Sequence, residues 1–309
     1  FGKYRISGGQ ARTWLNKIMA GRIPQPGRIS LTPMLSPKGR LMGDFTVSCL
    51  SETKFQLTAS YGSQAYHMRW FQNNQNPDVS IENISDSMTG FQIAGPNARK
   101  VLAAVTCRNT ENMQFLDVRW MVIGMIDCLV LRISYTGDLG YEIYCKPTEQ
   151  RQLWQSLWEA GQPYGMKPFG MRAMMSLRLD KFFGSWMSEF SPDYTAGETG
   201  LDRFIAWSKP DVFIGREAAL TEHENGSKRK LVAFEVEAED ADVVAYEPVW
   251  IDGRVQGFCT SGGFSHFAQK SVALALIPRK LAQSGLSVEI EILGKMRKAH
   301  LLNQPLLLD

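Results

Sequence analysis

A change of pattern after residue 220 constrains the fold more than any other feature of this sequence. Residues 221–230 (TEHENGSKRK) are polar and charged, as is typical of a linker. Beyond them, short runs rich in β-branched and aromatic residues alternate with turn residues. These runs cover residues 231–237, 248–251, 254–260, 271–276 and 287–293. Five short strands in about 80 residues predict a small all-β domain at the C-terminus, after a larger N-terminal part.

The N-terminal part has a mixed pattern that contains a weak internal repeat. Residues 6–15 (ISGGQARTWL) match residues 93–102 (IAGPNARKVL), and each stretch reads as a strand end, a glycine turn and an amphipathic helix. Two such units predict two related α+β lobes. Residues 148–162 and 171–181 are predicted to be further helices, and 183–200 is a long irregular stretch of the kind that often carries function.

Composition and charge exclude several classes of protein. With 44% hydrophobic and 21% charged residues, the chain is an ordinary globular protein, and no apolar stretch approaches the 18 residues of a membrane span. A net charge of +3 without a long basic run argues against a nucleic-acid surface. Five cysteines without a CxxC pair and four histidines without an HxxxH pair predict reduced thiols and no metal site. We therefore expect a reducing compartment, the cytoplasm or, in a eukaryote, the mitochondrial matrix.

Asp44 is the first candidate for chemistry. It lies in the apolar run 41–47 (LMGDFTV), which with residues 31–35 and the turn 36–40 is predicted to form a hairpin. A lone aspartate in such a strand either faces solvent, which residue statistics favour, or acts as a single acid–base group in a pocket. The sequence pattern leaves both readings open.

Residues 131–145 (LRISYTGDLGYEIYC) contain the second candidate, Glu142. The flanks read as strands and the middle as a glycine-containing turn. An exposed strand glutamate is one reading. In the other, the carboxylate offers two parallel acceptors to the two parallel donors of a 2-amino-4-oxo pyrimidine edge, as in pterins and guanines. Tyr135 and Tyr141 would then add ring contacts.

Longer motifs carry a resemblance to a known family. Residues 134–142 (SYTGDLGYE) resemble a signature of the aminomethyltransferase (glycine-cleavage T-protein) superfamily, and residues 33–47 resemble its catalytic-aspartate strand. Other segments are similar to the folate-binding C-terminal region of dimethylglycine and sarcosine dehydrogenases, and the match extends over essentially the whole chain. These segments are 170–181 (GMRAMMSLRLDK), 192–195, 200–204, 213–218, 247–250 and 260–263.

The resemblance implies an α+β fold of three domains in a cloverleaf around a central tetrahydrofolate site. The first domain would combine residues 1–48 with 147–222, the second would span 49–146, and a small β-barrel would span 228–309. Glu142 would hold the pterin edge beside Tyr135, and Asp44 would act near the reacting nitrogens. The activity would be one-carbon (aminomethyl or methylene) transfer, giving 5,10-methylenetetrahydrofolate from an iminium or a formaldehyde equivalent.

Two departures from the T-protein pattern favour the dehydrogenase-linked branch. Where T-proteins have Ala-Arg-Asp, this chain has Ala173-Met174-Met175, so the arginine expected at the glutamate tail of folate is missing. Arg203 stands where T-proteins tend to have tryptophan. Arg203 or Arg172 is therefore our candidate for the replacement charge.

The resemblance also implies an FAD-dependent amine oxidase domain or subunit as partner, and a small methylated amine or its iminium as donor. No dinucleotide motif occurs in this chain, and it opens with Phe1, so we expect it to begin within a longer polypeptide or to be supplied by a separate oxidase. Two alternatives remain. One is a non-catalytic folate-binding module, although residues 211–217 lack the cysteine of such relatives. The other is a folate-dependent demethylase giving 5-methyltetrahydrofolate.

Overall fold

The first sheet has five antiparallel strands. A computed structural model describes residues 1–107 and 109–307, so residues 108, 308 and 309 of the predicted domains lie outside the described part. The strand order is β2-β3-β4-β1-β5, and two helices cover one face. The elements are β1 (Gly2–Ser7), α1 (Ala11–Ile18), β2 (Ile29–Leu35), β3 (Leu41–Ser51), β4 (Lys54–Ala59), α2 (Gln64–Asn73) and β5 (Ser80–Asn83). A hydrophobic core of buried residues fills the space between this sheet and its helices.

The second sheet has four antiparallel strands in the order β6-β9-β8-β7. Helices α3 and α4 pack against each other and cover its core. The elements are β6 (Thr89–Ala94), α3 (Ala98–Val105), β7 (Val118–Ile123), β8 (Ile126–Leu131), β9 (Gly140–Cys145) and α4 (Gln150–Gly161). The predicted domain boundaries stay a prediction, but β4 and β5 belong to the first sheet although they fall within the range 49–146.

The internal repeat corresponds to β1–α1 and β6–α3. Gly8 and Gly95 occupy the same place in the two turns, with φ of +130° and +119°. Residues with a Cβ rarely adopt this conformation, and a Cβ on Gly8 would lie 2.2 Å from the carbonyl oxygen of Asp78. The repeat in the sequence therefore reflects a repeated backbone turn.

Three short helices lie between the second sheet and the barrel. They are α5 (Met171–Leu177), α6 (Ala196–Thr199) and α7 (Arg216–Asn225). The predicted helix over 171–181 was too long, because residues Arg178–Lys181 form a tighter 3₁₀ turn. Phe182 ends this turn in the left-handed conformation with φ of +57°. The Arg178 side chain bonds the carbonyl oxygens of Met175 and Phe183 across the turn, at 3.1 and 2.6 Å.

The C-terminal domain is a closed six-stranded barrel, which confirms the predicted β domain. Its order is β10-β13-β12-β11-β14-β15, and β15 pairs back to β10. The strands are β10 (Arg229–Val236), β11 (Pro248–Ile251), β12 (Arg254–Ser265), β13 (Lys270–Pro278), β14 (Ser287–Ile292) and β15 (Lys295–Leu302). The prediction of five strands was wrong. Strand β15 (KMRKAHLL) was missed because most of its exposed positions are basic and only Ala299 is fully buried.

The glycine-rich segment 261–263 lies within β12 and pairs with β13 after a register shift between Cys259 and Ser261. A Cβ on Gly262 would lie 2.6 Å from the side chain of Val243, so close packing explains that glycine. Among the helices of the described residues, none has the length and apolar character that crossing a bilayer requires.

Candidate functional site

Asp44 lies in the middle of β3, on the face opposite the first core. Its neighbours Gly43 and Phe45 point toward that core, where Phe45 packs 4.7 Å, centroid to centroid, from the ring of His67. Asp44 is only partly exposed, and its Oδ1 is buried with no hydrogen-bond partner among the described residues. Burial raises the pKa of Asp44 to about 6, against a smaller opposing effect of its own backbone. The reading of Asp44 as a solvent-facing strand residue is therefore wrong.

The face of the first sheet that carries Asp44 lies against the second sheet. Thr46 follows Asp44 on this face, and the strand register aligns Thr46 with Thr58 and Thr58 with Lys3. Residues directly opposite in antiparallel pairs share a face. Lys3 is buried and its Nζ lies 5.8 Å from the ring centroid of Tyr144, on β9 of the second sheet. Side chains of both sheets thus line a common buried interface.

Glu142 belongs to the second sheet and projects into this interface. It is only 7% exposed. Its Oε2 accepts a hydrogen bond from the Tyr144 hydroxyl at 2.6 Å, and its Oε1 accepts one from Nε2 of Gln92 at 3.4 Å. Burial raises the pKa of Glu142, while the Tyr144 hydrogen bond and the charge of Lys3 oppose the rise. Glu142 is a buried carboxylate with acceptor capacity left over, because two oxygens offer about four lone-pair sites.

Tyr135 lies near Asp44, but in the eight-residue connection between β8 and β9 rather than on a strand. Its hydroxyl donates to the carbonyl oxygen of Gly184 at 2.6 Å, and its ring stacks on Phe183 with centroids 6.3 Å apart. Burial raises the pKa of Tyr135 to about 12, the charge of Arg178 lowers it, and the charge of Asp44 adds to the rise. Tyr135 is therefore close enough to Asp44 for the charge of the carboxylate to influence its hydroxyl.

The other predicted binding residues lie elsewhere. Tyr141 is fully buried in the core of the second sheet, on the opposite face of β9 from Glu142, because side chains alternate along a strand. Arg172 is exposed at the start of α5. Arg203 is exposed too, and its guanidinium lies 4.8 Å from the ring centroid of Phe204. Of the predicted set, Asp44 and Glu142 thus face the interface between the sheets. Tyr135 lies in the connection between β8 and β9 and contacts Phe183 and Gly184, and Tyr141 points into the core of the second sheet.

Sequence reasoning missed a buried ion pair next to Tyr135. Arg178 and Glu189 have side chains that are 1% and 0% exposed, and Arg178 Nη1 lies 3.0 Å from Glu189 Oε2. Arg178 occurs within the segment 170–181 that supported the family resemblance, yet its sequence context gave it no role. Glu189 lies in the irregular stretch 183–200, and no spacing signalled its burial. Tyr144 had a signal, because it is two residues from Glu142 on the same strand face.

The two carboxylates suit different tasks, namely proton transfer by Asp44 and binding of a ligand with adjacent hydrogen-bond donors by Glu142. An unpaired buried carboxylate such as Asp44 accepts a proton readily near neutral pH or stabilises a nearby cation. Glu142 presents acceptors to a ligand that has adjacent N–H groups. Within residues 1–107 and 109–307, no group of three or more His, Cys, Asp or Glu side chains is placed to hold a metal ion.

Comparison with known proteins extends these observations over both parts of the chain. The model of the GCVT N-terminal domain matches residues 1–209, and that of the glycine cleavage T-protein C-terminal barrel domain matches residues 229–307. A crystal structure of the glycine cleavage system aminomethyltransferase T from Bartonella henselae has a TM-score of 0.88 at 20% identity, covering 99% of this chain and 84% of that one. At that identity the likeness concerns the fold, and it confirms the predicted α+β architecture.

Two kinds of curated relatives align with the chain over nearly its full length. Human mitochondrial dimethylglycine dehydrogenase is 37% identical over all of this chain, which spans 36% of that relative. An aminomethyltransferase of Natranaerobius thermophilus is 30% identical over 98% of this chain and 84% of its own length. The chain thus spans about a third of the dehydrogenases that it matches and most of the aminomethyltransferases. By both family models and by the second relative, the chain belongs to the glycine cleavage T-protein (GCVT) family.

Proposed function

We propose that this chain is a tetrahydrofolate-dependent one-carbon transferase whose site lies at the interface of the two sheets. The observation that carries the proposal is a pair of carboxylates on facing sheets of a GCVT-family chain: Glu142 is buried, and Asp44 has a buried Oδ1 without a hydrogen-bond partner. Burying an ionisable group without full pairing costs stability, so such a pair is more readily explained by a ligand than by packing.

Glu142 would hold the pterin ring in this proposal. The carboxylate accepts from Tyr144 and, more weakly, from Gln92, and both donors favour its anionic form. The remaining lone pairs suit the ring N–H and the exocyclic amine of a pterin, which point the same way. The ring would then extend toward Tyr135, which is partly exposed and stacks on Phe183.

Asp44 would supply the proton chemistry. The two reacting nitrogens of tetrahydrofolate, when it is bound, would each bond to the one-carbon unit, whose bond to the donor nitrogen or oxygen breaks and releases the amine or water. The anionic carboxylate favours a cationic iminium donor over its neutral alternatives, and the bare Oδ1 is free to take the proton that the second nitrogen loses on bonding to the carbon. A pKa of about 6 keeps Asp44 anionic at neutral pH yet basic enough to accept that proton.

The donor is proposed to come from oxidation of a methylated amine, as in a dimethylglycine or sarcosine dehydrogenase system. The 37% identity to a dimethylglycine dehydrogenase over this entire chain supports this finer assignment. FAD would reside on a separate domain or subunit that releases the one-carbon unit as an iminium or formaldehyde equivalent. The expected product is 5,10-methylenetetrahydrofolate.

Binding tests the role of Glu142. Calorimetry with tetrahydrofolate should show affinity in the wild type and a marked loss in Glu142→Ala, because each hydrogen bond to a charged group is worth about 1.5–3 kcal/mol. Glu82 is exposed on β5 of the first sheet, so Glu82→Ala is the matched control. Unchanged affinity in Glu142→Ala would remove the pterin assignment.

Transfer tests the role of Asp44. Protein, tetrahydrofolate and formaldehyde are mixed, and the folate product is identified by mass against a protein-free reaction, since formaldehyde also reacts slowly alone. Asp44→Asn should bind folate but lose about 10²–10⁴-fold in rate, the usual size of an acid–base contribution. A fully active variant would exclude Asp44 from the reaction, and a 5-methyl product would favour the demethylase alternative.

A further inference from the structure

Glu189 is a buried carboxylate whose acceptor sites are all engaged. Its Oε2 accepts from Arg178 Nη1 at 3.0 Å and from the backbone amide of Ser185 at 2.8 Å. Its Oε1 accepts from the Thr260 hydroxyl at 2.7 Å and from the Ser261 hydroxyl by a short hydrogen bond. These four donors come from three parts of the chain: the turn after α5, the loop 184–190 and strand β12 of the barrel.

The loop held by Glu189 is the loop that holds Tyr135. The amide of Ser185 bonds Glu189, while the carbonyl oxygen of the preceding residue, Gly184, accepts the Tyr135 hydroxyl at 2.6 Å. Gly184 is tightly enclosed, since a Cβ there would lie 2.4 Å from the ring of Phe190 and 2.9 Å from Cβ of Glu189. A displacement of Glu189 would therefore move the backbone at Gly184 and Ser185, and with it the carbonyl oxygen that holds the Tyr135 hydroxyl.

We propose that Glu189 is a positioning residue for the one-carbon site, which fixes Tyr135 beside Asp44 through the Gly184 carbonyl and makes the C-terminal barrel part of that site. The barrel contributes the hydroxyls of Thr260 and Ser261, which both bond the glutamate, and the Thr260 hydroxyl also lies 3.1 Å from the carbonyl oxygen of Leu274. Catalytic geometry depends on such supporting hydrogen bonds, because small misplacements of a site residue reduce rates strongly. The inference rests on the function proposed above.

Glu198 provides a matched control. It is also a buried glutamate that joins the barrel to the rest of the chain, since its carboxylate pairs with Arg229 of β10 at 2.9 Å. Its other partners are the amide of Thr195, at 3.1 Å, and the guanidinium of Arg40, at 3.8 Å. None of these three partners belongs to the loop 184–190 that contacts Tyr135. Glu198→Gln should therefore disturb the barrel contact to a similar extent without acting on Tyr135.

The first experiment observes Tyr135 directly and requires no activity. The chain contains nine tyrosines, so labelling with 3-fluorotyrosine gives up to nine fluorine resonances, and Tyr135→Phe assigns one of them. Glu189→Gln should shift or broaden that resonance, whereas Glu198→Gln should leave it in place. An unchanged Tyr135 resonance in folded Glu189→Gln would overturn the proposal, whatever the protein transfers.

A second experiment asks whether Glu189 acts through Tyr135. In the formaldehyde assay, Glu189→Gln should lower kcat by about 10²-fold, the size expected of a misplaced site residue. In a Tyr135→Phe background, the same change should add a loss within about twofold, the error of such cycles. Losses that multiply would refute the proposed route through Tyr135. If the wild type transfers nothing, the proposed function fails, and the fluorine spectrum still decides the role of Glu189.

A milder variant keeps the test decisive if Glu189→Gln does not fold. Thr260→Val removes one of the four donors to Glu189, nearly preserves the side-chain shape and leaves the Arg178 pair intact. It should move the same Tyr135 resonance in the same direction by a smaller amount. No movement in this folded variant would count against the barrel as part of the site.

Discussion

The raised pKa of Asp44 predicts a pH-dependent cost of keeping this residue in the fold. The folded-state pKa is about 6 and the unfolded value 3.8, so the folded state binds the proton more tightly. Where the folded state holds more protons, stability falls as the pH rises. The penalty is therefore absent below the unfolded pKa, grows between about pH 4 and pH 6, and is complete above. The difference of 2.2 pKa units corresponds to about 3 kcal/mol.

Asp44→Asn removes this titration and so separates it from other effects of the substitution. Any loss of packing or hydrogen bonding caused by the amide is present at every pH, whereas the ionisation penalty is not. The free energy of unfolding of the variant, relative to wild type, should therefore be about 2 kcal/mol more favourable at about pH 8 than at about pH 4.5. Urea unfolding followed by tryptophan fluorescence measures both values.

Asp127→Asn, an exposed aspartate on β8, gives the baseline for replacing an aspartate on a strand. A difference between wild type and Asp44→Asn that is the same at both pH values would refute the reasoning. Asp44 would then titrate alike in the folded and unfolded states, and its burial would not control its charge. If the reasoning holds, wild-type methylene transfer should in addition rise with pH through about 6 and then level off, because the anion is the active form.

Three further predictions concern the scaffold around the site. Arg178→Met should destabilise the protein by about 3–5 kcal/mol in denaturant unfolding, because it leaves a buried glutamate unpaired; a cost below about 1 kcal/mol would contradict the buried pairing. Gly8→Ala should cost about 1–3 kcal/mol by the same measurement through strain at positive φ, and Gly9→Ala, where no atom lies within 4 Å of the added Cβ, is its control. Tyr144→Phe removes the hydrogen bond to Glu142 and should raise the pKa of that carboxyl group. As the pH is lowered in a calorimetric series, tetrahydrofolate affinity should therefore begin to fall at a higher pH than in wild type. An unchanged pH profile would separate that hydroxyl from the ligand.

The sequence predicted the two lobes and the barrel because their patterns are local. The glycine turns of the repeat need positive φ, and alternating apolar runs mark most barrel strands. Strand β15 was not predicted, because basic residues occupy most of its exposed positions, among them Lys295, Lys298 and His300. Little apolar alternation therefore remains in its sequence. The helix that was predicted to reach Lys181 ends earlier, because hydrogen bonds from the Arg178 side chain tighten the turn. The spacing of apolar residues along the sequence does not reveal such hydrogen bonds.

The site residues, too, could be predicted only where a local pattern or motif marks them. Every residue of β9 is buried, so the alternation that normally separates inner from outer side chains was absent, and Tyr141 and Glu142 could not be assigned to opposite faces. Long motifs singled out Asp44, Tyr135 and Glu142; the structure turns Asp44 and Glu142 toward the interface of the sheets and places Tyr135 in the connection between β8 and β9. Glu189 could not be found in this way, because its partners at 178, 185, 260 and 261 meet only in the folded chain.

Asp44, Glu142 and Glu189 differ in how fully their carboxylates are hydrogen-bonded, and this difference supports the roles proposed for them. Glu189 accepts from four donors and has no capacity left for a ligand, which suits a structural support. Glu142 accepts one strong and one long hydrogen bond and keeps sites for two further donors, which suits binding. Asp44 leaves Oδ1 buried without a hydrogen-bond partner, which costs stability and suits a group that must take up a proton. Because a buried lone pair left without a partner is destabilising, the chain would be expected to retain that cost only where a ligand or a reaction offsets it.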